Sequence, residues 1–191
     1  MKLNIKSLFY GLECIVVVAV SFLFLRCTDV EEHDSLASDH EKVDTLTLND
    51  YHVHIMSPEL IKLWKDIGIP FSRSDAYYSN IDTILQKTGA KNISLISMAY
   101  VYSSEEFGRD SEEISQLVSQ ENDFLAKAKA KYPERIKAYF GVDPLYSNSL
   151  VEIQRCHKKL KLDGIKLHFN ASQVYLTEPD HLREVKKIFR Y

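Results

Sequence analysis

The chain has 191 residues, 45% of them apolar and 27% charged, with a formal net charge of −3, a balance that suits one globular domain with an appendage. There is no basic stripe to neutralise phosphates, which argues against a nucleic-acid partner. The three cysteines, Cys14, Cys27 and Cys156, are scattered, so neither a disulfide framework nor a cysteine-type zinc site is indicated.

The first residues, "MKLNIK", are basic and lead into an apolar run, Ile15 to Leu25, broken only by Ser21. This is the shape of a secretory signal, and the run is short of the roughly 20 residues that span a bilayer. Cys27 follows, and "TDVEEHD" then turns acidic. A cysteine in that place resembles a bacterial lipoprotein cleavage site, and the acidic stretch resembles the export signal of surface lipoproteins in Bacteroidetes. Arg26 departs from the pattern, standing where a small residue is expected. The expectation is therefore a cell-envelope protein, either an exported lipoprotein or membrane-anchored through an uncleaved segment. Residues 1–27 are set outside the fold, and 28–44 read as an acidic polar tether with little to bury.

From residue 45 the pattern alternates. Residues 45–55 predict strand 1. Ser57-Pro58-Glu59 is a helix start, with Ser as N-cap and Pro at the first helical position. A loop, "IPFSRSDAYYSN", precedes a second helix, "IDTILQKTG", which Gly89 ends. Asn92 to Tyr102 predict strand 2, and "SEEFGRDS" a loop. Ser111 with Glu112 and Glu113 opens a long helix, and Arg135 to Asp143 predict strand 3. Helix "SLVEIQRCHKKLK", strand 4 over Gly164 to Phe169, and helix "EPDHLREVKKIFR" complete the chain. Such alternation argues for α/β architecture with a parallel sheet. Four β/α units of about 37 residues approach the roughly 31 per unit of an eightfold (β/α) barrel. The expected fold is a partial TIM-type (β/α) barrel of about four β/α units over 45–191, preceded by the N-terminal hydrophobic segment.

Strand 1 ends in "DYHVH". Side chains two apart on a strand share a face, so Asp50, His52 and His54 are expected to point one way, with Leu46 and Leu48 behind them. Burying an acid and two imidazoles is costly unless something pairs with them, and a metal ion would do so. Neutral imidazole is the commonest protein ligand for zinc-like ions. Asp50, one step inward, is expected to orient them or to be a further ligand.

In strand 4, "GIKLHF", the pair Ile165 and Leu167 share one face and Lys166 and His168 the other. With the aliphatic pair against helices, Lys166 and His168 point into the barrel at its carboxyl end, where barrel enzymes place their chemistry. His168 is then a ligand, a substrate-polarising group or a proton donor. Lys166 pairs with a substrate carboxylate or, carboxylated, bridges two metals. Asp143, before Pro144, reads as turn chemistry. Tyr100 and Tyr102 line a pocket mouth or simply pack. His33, His40, His157, His181 and Cys156 carry no expected role.

"NDYHVHI", "NDFLAKAKAKYPERIKAYFGVDP" and "GIKLHF", in this order, resemble the amidohydrolase-related family of metal-dependent hydrolases, TIM-barrel enzymes whose relatives include decarboxylases of the aminocarboxymuconate-semialdehyde type. The resemblance covers about residues 45–191. It implies His52 and His54 as metal ligands, His168 as a neighbour of the site, and a divalent metal, Zn first, that polarises a small-molecule substrate and lowers the pKa of a bound water. The implied reaction is hydrolysis of a C–N or C–O bond, with decarboxylation as the alternative within the family and an inactive membrane-tethered fragment as the alternative outside it. Family members add a histidine from a later strand and an aspartate near the last one, whereas this sequence stops at "VKKIFRY". The expectation is thus an N-terminal half, truncated, or one that self-associates or pairs with a complementary half.

Overall fold

A computed structural model describes residues 48–104 and 109–191. The predicted anchor and tether, the start of strand 1 and residues 105–108 of a predicted loop lie outside the described residues.

Four strands, β1 (Asn49–Ile55), β2 (Asn92–Ser97), β3 (Ile136–Gly141) and β4 (Gly164–Lys166), pair in parallel in the order β1-β2-β3-β4. Helices α1 (Pro58–Asp66), α2 (Ala76–Ser79) and α3 (Ile81–Thr88) follow β1. Helix α4 (Ser111–Lys131) follows β2, α5 (Ser149–Lys158) follows β3, and α6 (Pro179–Arg190) follows β4. Parallel neighbours in strict chain order, with the right-handed crossovers that are the rule for such units, put the connecting helices on one face of the sheet. A doubly wound fold would reverse the strand order partway. The architecture is the expected arc of a (β/α) barrel.

Register divides the sheet into two faces. Val53, Leu95 and Ala138 align across three strands. With Phe140 they pack on Leu85 of α3, Leu125 of α4, and Ile153 and Cys156 of α5, all buried. The opposite face carries His54 beside Ile96, Ile96 beside Tyr139, Tyr139 beside Gly164, and Lys166 beside Gly141. Gly164 is needed there, because a Cβ would sit 2.7 Å from the Tyr139 ring.

Local chemistry sets the ends. Ser57 Oγ accepts the Leu60 N–H at 3.1 Å, capping α1 with Pro58 at its start. Gly89 takes φ 64° to close α3. Asp110, one residue before the expected start, caps α4 by accepting from the N–H groups of Glu112 and Glu113. The Asn122 side chain, fully buried on α4, accepts from Gly141 N and donates to Gly141 O, fixing α4 to the exit of β3.

The structure shortens three predicted strands and folds one loop. Strand 2, expected to reach Tyr102, stops at Ser97 and turns into a 3-10 helix, Ala99–Ser103. Ser97 Oγ accepts the Ala99 N–H, and the turn delivers Ala99 and Tyr102 to a second core with Leu60, Ile61, Ile114 and Val118. Burying those groups outweighs the strand propensity of "AYVY". Strand 3 ends at Gly141 and strand 4 at Lys166, short of Asp143 and Phe169. The loop before α3 contains α2, whose Tyr78 meets Phe71 edge-on at 5.0 Å.

Candidate metal centre at the carboxyl end of the sheet

β1 does not alternate strictly. Asp50 pairs with Ile93 and Val53 with Leu95, so three steps on β1 match two on β2, a bulge at Tyr51 and His52. Asp50 and Val53 therefore share the helix-side face with Ile93 and Leu95, while His54 aligns with Ile96 on the other. This corrects the expected common face, but Asp50 still lines the same cavity as the two rings. Its Oδ1 accepts the His52 backbone N–H at 3.0 Å and holds the bulge.

The bulge leaves His52 and His54 together. Their Nε2 atoms are 3.0 Å apart and their ring centroids 4.9 Å apart, with planes at 67°. His52 is exposed and His54 half-buried. Burial, then the proximity of His52, Lys166 and His168, pushes the His54 pKa down to about 4, against a smaller opposing effect of the Ile96 backbone. His54 is thus neutral near pH 7, the form that ligates metals. Its Nδ1 is buried with no hydrogen-bond partner, so the Ile96 backbone acts on the ring without a geometrically complete bond to that atom.

Lys166 and His168 face His54 closely enough to disfavour its charged form. His168 stacks on Tyr100, centroids 5.1 Å apart at 26°. Burial pushes the Tyr100 phenol up to about 12, so it stays neutral. The Ala171 N–H donates to His168 Nδ1 at 3.0 Å. That contact places the proton of neutral His168 on Nε2, making it a hydrogen-bond donor through that atom. Tyr102 points elsewhere, into the second core beside Glu121.

Among the described residues, no group of three or more His, Cys, Asp or Glu side chains could hold a metal ion. The His pair by itself does fit one. Two nitrogens at about 2.0–2.1 Å from a shared ion can lie up to about 4 Å apart, and 3.0 Å satisfies that limit. Imidazole suits several divalent metals.

His157, His181, Cys156 and Asp143 do not line the cavity of this pair. His157 contacts Tyr191, and His181 stacks on Tyr175. His33 and His40 lie outside the described residues. Cys156 is buried, and burial pushes its thiol well above the ordinary range, so it is inert as a nucleophile. Asp143, read from sequence as turn chemistry, has its carboxyl pushed up to about 6, mainly by burial. The Asp-Pro step gave no signal of that burial.

The fold and the paired imidazoles define a class: one arc of a (β/α) barrel with a His-x-His step at the mouth of its first strand. Solved structures share that fold. The 5-carboxyvanillate decarboxylase of Sphingomonas paucimobilis aligns with TM-score 0.57 and 16% identity over 74% of this chain and 48% of its own. The 5-carboxyvanillate decarboxylase of Novosphingobium aromaticivorans, with bound manganese and a nitrobenzoic acid, aligns at 0.54 and 21% identity over 73% and 48%. A dihydroxybenzoic acid decarboxylase of Polaromonas, with bound manganese and 2-nitroresorcinol, gives 0.51 and 19% identity over 73% and 45%. The chain spans about half the length of these proteins. No family model and no curated protein matches the sequence. The likeness is one of fold, and it is the barrel expected from the resemblance to the amidohydrolase-related family.

Proposed function

We propose that this chain carries the two-histidine limb of a divalent-metal centre acting on a small carboxylic acid, with decarboxylation as the reaction. The observation that carries the reading is the 3.0 Å approach of His52 Nε2 and His54 Nε2 at the carboxyl end of β1. The likeness in fold to decarboxylases supports decarboxylation at least as well as the hydrolysis expected from sequence. Bound manganese in two of those structures supports a divalent metal without singling out zinc.

His52 and His54 would hold the metal, which supplies Lewis-acid polarisation of an oxygen on the substrate. Lys166, on the same face, is positioned to pair with a carboxylate. His168, held by the Ala171 N–H and the Tyr100 ring, would offer its Nε2–H to a developing oxyanion. The half-buried position of His54 keeps its ring neutral and ready to ligate. Any further ligands come from water, substrate, or chain outside the described residues, including a second copy or a complementary half.

Metal analysis of the purified chain with manganese or zinc tests the centre. Release of CO₂ from aromatic carboxylic acids tests the reaction; hydrolysis products without CO₂ would restore the hydrolase reading. The envelope location is a separate proposal, resting on residues 1–27. Among the described residues no helix is long and apolar enough to cross a membrane. Lipid labelling lost on Cys27→Ala would support a lipoprotein, and membrane retention without labelling would support the uncleaved anchor.

A further inference from the structure

A second cavity, of about 340 Å³, opens between the segments that follow β2, β3 and β4. That volume is at the small end of ligand pockets, and no residue lining it also lines the cavity beside the His52/His54 pair. Two of its hydroxyls are orphaned: Ser103 Oγ and Ser172 Oγ are buried without a hydrogen-bond partner. Ser172 is 7% exposed. It stands beside the Asp143 carboxylate, near enough to stabilise the anion, yet without completing a hydrogen bond. Asp143 Oδ1 accepts the Leu145 N–H at 2.9 Å. Buried polar groups left this way cost free energy that a suitable occupant recovers.

The lining selects the occupant. No lysine or arginine lines the cavity and the Asp143 carboxylate does, which disfavours an anion even with the His181 ring on the wall. An apolar molecule would leave both hydroxyls unsatisfied. Hydroxyl groups both donate and accept: they can donate to Asp143 and exchange hydrogen bonds with Ser103 and Ser172. On the rim, Tyr175 is 59% exposed. Its ring is backed by His181 at 24° and 6.1 Å, and its N–H donates to His181 Nδ1 at 3.1 Å. One aromatic face is thus fixed in place, a flat surface for the C–H face of a ring.

We propose that this cavity binds a small neutral polyhydroxylated ring, a monosaccharide or cyclic polyol, through Asp143, Ser103 and Ser172, with Tyr175 as its platform. The site shares no lining residue with the cavity of the His52/His54 pair, although Ala171 on its wall also holds His168. Saturation-transfer NMR on the full-length chain with D-glucose, D-galactose and myo-inositol tests it. Saturation should reach at least one of the three. Ser172→Ala and Tyr175→Ala should each weaken the Kd by about tenfold, the scale of one lost hydrogen bond or ring contact, and His52→Ala should leave it unchanged. Tyr175 is exposed, so its variant decides the matter if Ser172→Ala loses its near-UV circular dichroism. The proposal is overturned if none of the three binds the folded protein, if Tyr175→Ala leaves the Kd unchanged, or if methylammonium binds where the polyols do not.

Discussion

The Asn122 side chain substitutes for a peptide group at Gly141: its Oδ1 accepts from Gly141 N at 3.0 Å and its Nδ2 donates to Gly141 O at 3.1 Å. Nδ2 also donates to Glu152 at 2.9 Å, so one residue of α4 holds the exit of β3 and the start of α5. Asn122→Ala strands buried partners on both. The expected loss is about 2–3 kcal/mol in denaturant unfolding, and a loss within about 0.5 kcal/mol would show that water replaces the amide.

Gly164 and Tyr139 form a second coupled pair. Gly164→Ala drives a Cβ to 2.7 Å from the Tyr139 ring, and overpacking of this kind costs about 1–3 kcal/mol. Removing the ring should relieve it, so the double variant with Tyr139→Ala should lose less stability than the two single losses summed. Strict additivity in that cycle would mean the ring does not lie over Gly164.

Strand-helix alternation and caps such as Ser57-Pro58 were legible in the sequence, because local propensity and core burial agree there. The side-chain faces of β1 were not. Alternation put Asp50 on one face with the imidazoles; the bulge turns it to the other face, where its carboxylate accepts the His52 N–H two residues on while it still lines the cavity beside the rings. Strand 2 was read too far because "AYVY" has strand composition while its burial comes from a second core formed with α1 and α4. The period of a strand running to Phe169 put Lys166 and His168 together; register pairs Lys166 with Gly141, while His168 lies beyond the end of β4. The cavity at Asp143 was illegible: Ser103, Ser172 and His181 come from three separated segments, and nothing in their spacing marks the convergence.

The metal-free protein should lose stability as pH falls through the interval set by His54. Its folded pKa, about 4, lies below the ordinary histidine value of 6.5. Above 6.5 both states are neutral and the ring contributes nothing to the pH dependence. Between 6.5 and 4 the unfolded chain takes up a proton that the folded chain refuses, so stability declines across that window. Exposure of the site reduces the size of the effect. NMR titration of the His54 ring gives the midpoint directly; a value near 6.5 would contradict the described surroundings.

His168 separates fold from chemistry by its two nitrogens. Asn at 168 can present an oxygen to the Ala171 N–H while lacking the Nε2–H donor; Gln places its amide nearer the Nε2 position. On the proposed reaction, His168→Asn should keep the fold and lower kcat/KM by about 10²–10³, the usual loss of one oxyanion donor, with His168→Gln retaining more. Equal activity in all three proteins would remove His168 from the site.

Metal content after exhaustive dialysis bears most directly on the central claim. The full-length chain, loaded with manganese or zinc, should retain one ion per site, and His52→Ala and His54→Ala should each lose it with near-UV circular dichroism unchanged. A folded chain that retains no metal, or variants that retain as much as the parent, would contradict the account.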